Sequence, residues 1–415
     1  MDYFDDLETR PETQRLEEQF AALPGLIALA KSDTGHFGGL LADVDPDSIT
    51  DPAALARLPV TRKSDLIALQ KAHPPLGGLV SDWGGIGRIL QSPGPINDPE
   101  GARTGYWRLG RALFAAGFRR GDMVQNCFSY HFTPGGWIFD DACRSLGCPV
   151  FPAGVGNTEQ QVQAMAGLGV AGYVGTPSFL RIILEKANAM GVPLPGLTKG
   201  LVSGEAYLPP QRAAFHEAGL HVHQCYATAD LGLIAYESPA ADGTVEGMVV
   251  DEGVIVEIVR PGTGDPVPVG EVGEVVVTSF TPEYPLIRFA TGDMSAVLPG
   301  ESPCGRTNMR IKGWMGRADQ TTKVKGMFVH PEQVADVLKR FPVLGRGRLV
   351  VSHDGHANDV MTLRCECAED ADDVLVARVG EAVQAVTKLK GVVEIVGPET
   401  LPNDGKVIED ARSYE

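Results

Sequence analysis

The sequence predicts an α/β protein that has a large N-terminal domain and a small α+β domain at its C-terminus. Over residues 104–236, helix-like stretches alternate with short apolar runs, which is typical of βα units and a mainly parallel sheet. The 415 residues exceed the roughly 250–300 at which a single core stops growing. After residue 326, two helix patterns and three strand patterns are enough for a compact second unit.

The elements of the predicted βα core follow in order. Residues 1–90 mix a charged helical pattern with Pro and Gly, and Thr61 or Ser64 is a candidate cap of a short helix there. The helix patterns of the core are YWRLGRALFAAGF, WIFDDACRSLG, TEQQVQAMAGLG and SFLRIILEKANAMG. The strand patterns are MVQNCF, CPVFPAG, GYVGT, GLVSG and HVHQCYA. Because ligands in such sheets bind beyond the carboxyl ends of the strands, we expect the site at the small residues that follow these runs.

The pattern changes to period-two alternation over residues 249–297, which predicts an antiparallel subdomain. We therefore expect an N-terminal domain over residues 1–317, made of a βα core at 90–236 and a β-rich subdomain at 249–300. A mobile C-terminal domain is expected over residues 318–415.

Composition excludes several classes of partner. The net charge of −17 is spread along the chain without a Lys/Arg run, which argues against a nucleic-acid or anionic-membrane surface. The acidic start MDYFDDLETRPETQ is the opposite of a signal peptide, and no apolar stretch reaches a membrane span. Seven cysteines, an odd number, favour reduced thiols. We expect a cytoplasmic protein, with a homodimer as the default assembly.

Two nucleotide signatures lie close together in residues 285–326. In the first, Asp293 follows a Thr-Gly turn, where its carboxylate can accept hydrogen bonds from both hydroxyls of a ribose. In the second, Arg317 and Asp319 belong to a Gly-Arg-Ala-Asp turn that is followed by two lysines, which suits phosphate binding and a hinge between domains. This run indicates adenylate chemistry.

The chain resembles the adenylate-forming ligase superfamily and, within it, the phenylacetate-CoA ligase family over nearly its whole length. The matching segments are LPVTRKSDL, SLGCPVFPAGVGNTEQQVQAM, GTPSFL, SGEAYLPPQRAAF, residues 285–326 with their PCGRT, and PNDGK near the end. The resemblance implies a large multi-sheet N-terminal domain and a mobile C-terminal domain. It also implies that a small carboxylic acid and ATP form an acyl-AMP, from which the acyl group passes to coenzyme A.

The resemblance also implies residue roles. Tyr226 would stack on the adenine, Thr228 would meet the α-phosphate, and Asp230 would take the place of a Glu that binds Mg²⁺. Arg317 would bind phosphate or ribose oxygens, Asp319 would be the hinge, and Lys406 would be the catalytic lysine of adenylation. The remaining nucleotide-binding residues are Gly204, Glu205, Ala206, Ala227 and Asp293.

In this superfamily the acyl pocket lies between the strand ends and the helix that follows residues 130–136. The candidate lining residues are His131, Phe132, Gly135, Trp137, Phe151, Gly154, Gly156 and Tyr236. A partly aromatic, mid-sized cavity favours an aromatic or short-chain acid over a long fatty acid. The same aromatic residues also fit an ordinary core.

Two departures from the family pattern matter. The phosphate loop of the family is rich in Ser, Thr and Gly and ends in Lys-Pro, whereas this chain has Ser92, Pro95, Ile96 and Asp98 in that segment. Prolines remove N–H donors and Asp98 places an anion where a cation belongs, so pyrophosphate binding is expected to be weak. At the positions where some relatives look able to bind zinc, this chain has Ser238, Met248 and Ser302 beside Cys304, so we expect no zinc.

Two functions remain open at this stage. The first is an acid–thiol ligase that uses ATP, Mg²⁺ and coenzyme A. The second is a degenerate relative that binds AMP, CoA or acyl-CoA, or that runs the thioester half-reaction without adenylation.

Overall fold

The computed structural model describes residues 2–92, 95–316, 318, 322–324, 327–353, 359–368, 372–404 and 406–412. These fall into two compact units. The first unit comprises Met1–Val256, Val277–Phe289 and Leu298–Trp314, and the second comprises Glu257–Val276, Ala290–Val297 and Met315–Glu415. The predicted domain boundary at residue 317 stays a prediction.

The bounds of the elements are as follows. The helices are α1 (Glu12–Asp33), α2 (Gly35–Leu40), α3 (Pro52–Ala56), α4 (Leu66–Ala72), α5 (Gly110–Ala115), α6 (Gly135–Leu146), α7 (Thr158–Gly167), α8 (Pro177–Met190), α9 (Pro209–Glu217), α10 (Pro331–Lys339) and α11 (Asp373–Thr387). The strands are β1 (Thr61–Arg62), β2 (Ile86–Ser92), β3 (Ile96–Gly101), β4 (Val124–Asn126), β5 (Val150–Pro152), β6 (Gly172–Gly175), β7 (Lys199–Val202), β8 (His221–Thr228), β9 (Gly232–Tyr236), β10 (Met248–Val250), β11 (Val254–Val259), β12 (Gly273–Ser279), β13 (Leu286–Ser295), β14 (Val297–Leu298), β15 (Arg310–Ile311), β16 (Thr322–Val324), β17 (Met327–Val329), β18 (Leu344–His353), β19 (Asp359–Cys367), β20 (Val392–Val396) and β21 (Ile408–Asp410).

The central sheet of the first unit confirms the predicted α/β class. Its strand order is β14-β15-β10-β9-β8-β7-β6-β4-β5. Strands β5, β4, β6, β7 and β8 pair in parallel, and β8, β9, β10 and β15 continue the sheet in antiparallel pairs. The carboxyl ends of the five parallel strands therefore meet at one edge, which is where parallel sheets bind ligands.

Local sequence explains how the helices α6 and α8 are placed around this sheet. Helix α6 buries Ile138, Phe139 and Cys143, and it ends at Gly147, whose left-handed φ of 80° a glycine adopts without strain. Helix α8 begins after Thr176, whose side chain accepts a hydrogen bond from the Phe179 N–H. Thr176 thus sets the strand-to-helix turn after β6 at the carboxyl edge of the sheet, and Gly147 ends α6 before the chain enters β5.

Strands β2 and β3 form an antiparallel hairpin that the sequence did not predict. Leu90 pairs with Asp98, Gln91 with Asn97 and Ser92 with Ile96. The segment read as a degenerate phosphate loop is thus the tip and second strand of this hairpin. Pro93 and Gly94 lie outside the described residues.

The N-terminal segment is attached to the first unit through a buried carboxylate, that of Glu8, which is 1% exposed. Tyr236 Oη donates to Glu8 Oε1 at 2.7 Å, and the Phe4 N–H donates to Oε2 at 2.9 Å. Arg306 Nη2 lies 2.9 Å from Oε2, and Arg111 Nη1 lies 3.3 Å from Oε1. A buried carboxylate with such partners stabilises the fold only as long as all of them are present.

The second unit contains the predicted C-terminal helices and strands. Its four-stranded sheet has the order β20-β19-β18-β21, in which β18 and β19 are antiparallel and the outer strands are parallel to their neighbours. Val334, Leu349, Leu363 and Val379 belong to a core that α10 and α11 cover. Within the described part of the chain, no helix is both long and apolar enough to cross a membrane.

We expect Glu8→Ala to lower the free energy of unfolding by roughly 3–5 kcal/mol, because the guanidinium groups of Arg306 and Arg111 lose a buried partner. Urea denaturation monitored by circular dichroism measures the change. The matched control is Glu17→Ala, which removes an exposed carboxylate from helix α1 and should change the value by less than about 0.5 kcal/mol. Equal effects of the two variants would contradict the proposed role of Glu8.

Candidate active site

The predicted adenine and phosphate residues of the first unit lie at the ends of two neighbouring strands. Gly204 follows β7 in a left-handed conformation with φ 80°, and the side chain of Glu205 accepts a hydrogen bond from Ser178 Oγ at 2.8 Å. Tyr226, Ala227 and Thr228 are the last three residues of β8 and are half-buried. The exposed Ala206 completes this group. The structure thus brings these predicted residues together, and their nucleotide roles stay predictions.

One aromatic residue that the sequence reasoning missed connects these strand ends with the predicted acyl pocket. A methyl group added at Gly204 would lie 3.7 Å from the ring of Phe128, and one added at Gly135 would lie 3.4 Å from it. The Phe128 ring stacks on Phe139 with 4.6 Å between centroids. Its place directly after β4 was the available signal, because the ends of parallel strands converge at this edge.

Three of the predicted acyl-pocket residues, His131, Trp137 and Gly154, line an open cavity of about 580 Å³. Its other walls come from Ser129, Tyr130, Asp140, Pro152, Ala153 and Val155. Tyr130 and Asp140 are lining residues that the sequence reasoning did not name. The volume lies within the range of small-molecule sites.

The other predicted pocket residues have different surroundings. Phe132 is 67% exposed and has a left-handed φ of 65°, which is unusual for an aromatic residue. Gly135 packs against Phe128. Tyr236 is 1% exposed in the core and donates its hydroxyl hydrogen to Glu8, so we leave it out of the proposed pocket.

The predicted phosphate-loop residues point mostly inward. Asp98 and Ile96 are buried, with exposed fractions of 1% and 6%, whereas Pro95 is exposed. The Ser92 N–H donates to Asp98 Oδ2 at 3.1 Å, so a backbone donor at the hairpin tip is already engaged by a carboxylate of the protein. The weakened phosphate subsite stays a prediction.

A charged cluster lies beneath the hairpin. Lys63 Nζ lies 2.5 Å from Asp230 Oδ2, and the Asp230 side chain is fully buried. Burial, followed by the negative charge of Asp230, raises the pKa of Asp98 to about 7, although the hydrogen bond from Ser92 and the charge of Lys63 oppose this shift. The side chains of Asp98 and Asp230 are hydrogen-bonded to each other, which requires that one of the two carboxyl groups carries a proton. Lys63, absent from the sequence-based assignment, is thus the counter-ion of the predicted magnesium ligand.

The contacts of the Asp230 carboxylate determine whether it could bind Mg²⁺. Magnesium is usually held by one or two carboxylates together with water and substrate phosphates. Here the ammonium of Lys63 already contacts the Asp230 carboxylate at 2.5 Å. The described arrangement therefore does not fit Mg²⁺ bound directly to Asp230.

A hydrogen-bonded network occupies the positions at which some relatives look able to bind zinc. Arg306 Nη1 donates to Ser238 Oγ at 2.6 Å, and Ser302 Oγ lies 3.0 Å from Cys304 Sγ. Burial opposes ionisation of the Cys304 thiol, but hydrogen bonds with Ser238 and Ser302 and the charge of Arg306 outweigh it and lower its pKa. The absence of zinc stays a prediction.

Four predicted residues belong to the second unit. Asp293 is half-buried in β13, and its N–H donates to Thr291 Oγ1 at 3.1 Å. Lys406 is exposed, and its N–H donates to Asp404 Oδ1 at 3.1 Å. Arg317 and Asp319 lie outside the described residues.

Comparison with known proteins identifies the family. The AMP-binding enzyme family matches residues 134–281. Phenylacetate-coenzyme A ligase of Aromatoleum evansii is 30% identical over 362 residues, which cover 83% of this chain and 79% of that protein. This chain belongs to the phenylacetate-CoA ligase family. It is accordingly an enzyme of the AMP-forming acyl-CoA ligase class, which confirms the resemblance.

Two further proteins are similar to this family member. Phenylacetate-coenzyme A ligase of Thermus thermophilus is 28% identical over 385 residues, or 89% of this chain and 85% of that protein. The second is 2-hydroxyisobutyryl-CoA ligase, solved in an open conformation in complex with 2-HIB-AMP and CoA. The two structures match with a TM-score of 0.72 at 24% identity, over 95% of this chain and 91% of that chain. The second comparison supports the predicted fold of this ligase.

We expect Asp98→Asn to stabilise the protein at high pH. Between a pKa of about 4 in the unfolded chain and about 7 in the folded state, the native protein retains a proton that the unfolded chain has released. Wild-type stability should therefore fall as pH rises through this interval. The stability gained by Asp98→Asn should be larger at pH 8 than at pH 5 by roughly 2–3 kcal/mol.

Urea denaturation at the two pH values measures this difference. The matched control is Asp43→Asn, which neutralises an exposed carboxylate of the same unit. A gain for Asp98→Asn that does not change with pH would show that Asp98 ionises normally in the folded protein.

Proposed function

We propose that this enzyme is an acid–thiol ligase that forms an acyl-CoA from an aromatic or short-chain carboxylic acid through an acyl-AMP intermediate. The observation that carries the proposal is the position of Phe128. Its ring neighbours both Gly204, at the predicted nucleotide site, and Gly135, at the start of the helix that borders the cavity. In the proposed arrangement, the acid occupies the cavity and its carboxylate faces an α-phosphate at the end of β8.

The size and lining of the cavity support the choice of acid. Trp137 and Tyr130 contribute aromatic rings, with 5.4 Å between their centroids, and Ala153 and Val155 contribute apolar surface. A cavity of about 580 Å³ accommodates a substituted aromatic ring. The 2-hydroxyisobutyryl-CoA ligase named above also acts on a small acid, in agreement with this range of sizes.

The proposed reaction has two steps. A carboxylate oxygen of the acid forms a bond to the α-phosphorus of ATP, and pyrophosphate leaves. The sulfur of coenzyme A then forms a bond to the acyl carbon, its thiol proton is lost to solvent, and AMP leaves. In this scheme Tyr226 stacks on the adenine, Thr228 donates to the α-phosphate, Asp293 accepts from the ribose hydroxyls, and Lys406 stabilises the charge that develops in the first step.

We expect Lys406→Ala to lower acid-dependent ATP–pyrophosphate exchange by at least about 100-fold, because a positioned cation that stabilises transition-state charge contributes on this scale. Lys390→Ala is the matched control, since Lys390 is also an exposed lysine of the second unit. Exchange that falls equally in both variants, or in neither, would remove Lys406 from the proposed mechanism.

A second candidate function has one observation in its favour. Asp98 and Asp230 place two buried carboxylates near the predicted phosphate subsite, with Lys63 between them as the counter-ion. This charge balance favours AMP or an acyl-adenylate over ATP. Under this candidate, the protein binds AMP, CoA or acyl-CoA, or transfers the acyl group without adenylating it.

Thermal shift separates the two candidates. If the second is correct, AMP should raise the melting temperature more than ATP at equal concentration, and no acid should support ATP–pyrophosphate exchange. At pH 8, where Asp98 is largely ionised, Asp98→Asn should then raise the ATP response relative to the AMP response, because it removes a negative charge from the predicted phosphate loop. Acid-dependent exchange in the wild-type enzyme would exclude the second candidate.

A further inference from the structure

The wall of the acyl cavity contains one carboxylate, which belongs to Asp140 of helix α6 and is 15% exposed. The surrounding wall is aromatic and apolar, formed largely by Trp137, Pro152, Ala153 and Val155. A carboxylate in such a wall loses much of its hydration when a ring enters the cavity. The hydrogen bonds that the carboxylate still makes after the ring has entered then determine how favourably that ring binds.

The hydrogen bonds of Asp140 leave one of its oxygens weakly paired. Tyr130 Oη donates to Oδ1 at 3.2 Å, and Asn126 Nδ2 donates to Tyr130 Oη at 2.8 Å, so the direction of the tyrosine hydroxyl is fixed. Oδ2 lies 3.7 Å from Arg144 Nη1, and the Arg144 side chain is 65% exposed. An exposed pair at this distance contributes little.

The guanidinium of Arg88 is engaged elsewhere. Arg88 lies over the Trp137 ring at 4.2 Å, and its Nη1 donates to both oxygens of Glu100 at 2.7 Å. Arg88, Glu100 and Arg144 line a second pocket that Asp140 also borders. The charge of Arg88 is therefore balanced by Glu100, and Asp140 is the carboxylate shared between that pocket and the acyl cavity.

We propose that Asp140 selects aromatic acids that carry a hydrogen-bond donor, an amine or a hydroxyl, on the ring. A donor on the ring forms a hydrogen bond with the Asp140 carboxylate in place of the water that the ring displaces. A ring without a donor leaves the carboxylate without that hydrogen bond, and sites with such a polar group reject the analogue that lacks the matching one. Asp140 is a specificity-determining residue, and the inference rests on the proposed ligase function.

The experiment compares phenylacetate with its 2-, 3- and 4-amino and 2-, 3- and 4-hydroxy derivatives, using kcat/KM for CoA-thioester formation. The wild-type enzyme should favour the best amino or hydroxy isomer over phenylacetate by at least about 10-fold. Asp140→Leu should reverse this preference, because it replaces the carboxylate with an apolar group of similar volume. Asp140→Asn, which keeps an acceptor but no charge, should lose preference for the amine more than for the hydroxyl.

Two controls separate selection from a structural role. Tyr130→Phe breaks the same Tyr130–Asp140 hydrogen bond but keeps the carboxylate, so the preference should persist. Asp141→Asn changes the adjacent carboxylate, which accepts from the Gly105 N–H at 2.8 Å and does not line this cavity, and it should leave the ratio unchanged.

The inference fails if phenylacetate equals or exceeds every substituted acid in the wild-type enzyme, or if Asp140→Leu leaves the ratio unchanged. If none of the acids gives a thioester or supports exchange, the proposed function fails instead. Isothermal titration of the same acids in the presence of AMP then decides the inference. Tighter binding of a donor-bearing ring that Asp140→Leu abolishes would support it, and equal binding of all rings would overturn it.

Discussion

The contact between Lys63 and Asp230 is the constraint around which the candidate active site is arranged. Asp230 is buried directly after β8, and a carboxylate in that position requires a cation nearby. Lys63 supplies the charge from the short helical turn after β1. Asp98 adds a second buried carboxylate from the hairpin, and its raised pKa relieves the excess of negative charge through protonation. The hairpin thus packs onto a site whose charges are already largely balanced.

The candidate site is built on the edge of the parallel sheet at which strands β4, β7 and β8 end. Asn126 Oδ1 accepts from the Phe128 N–H after β4, Gly204 is left-handed after β7, and Thr228 Oγ1 accepts from the Leu231 N–H after β8. Phe128 occupies the space between Gly204 and Gly135, where side chains larger than hydrogen would contact its ring. The two glycines therefore let one aromatic ring lie between the predicted nucleotide residues after β7 and the start of helix α6.

Much of the fold was predictable because its signals are local. The patterns for α6, α7, α8 and the five parallel strands coincide with the observed elements within a few residues. The predicted helix over residues 106–118 is in fact confined to Gly110–Ala115. Arg108 before it has a φ of 65° and donates through Nε to Asp251 at 2.7 Å, so a contact distant in sequence overrides the helical pattern.

The β2–β3 hairpin could not be predicted from the alternation of apolar and polar residues. Asp98 and Glu100 are charged residues that distant or cross-strand partners bury, and the sequence pattern does not reveal such partners.

The guanidinium of Arg306 connects the N-terminal segment with the positions at which some relatives look able to bind zinc. Arg306 donates to Ser238 at 2.6 Å, lies 2.9 Å from Glu8, and contributes to the lowered pKa of Cys304. A structural metal joins loops because its ligands come from distant segments. A planar guanidinium with five donors joins distant segments in the same way. Its bonds depend on partner carboxylates, so the cross-link extends through Glu8 to the N-terminal segment. Glu8 is therefore a buried carboxylate whose partners join the N-terminal segment to Arg306 and to Tyr236 of β9.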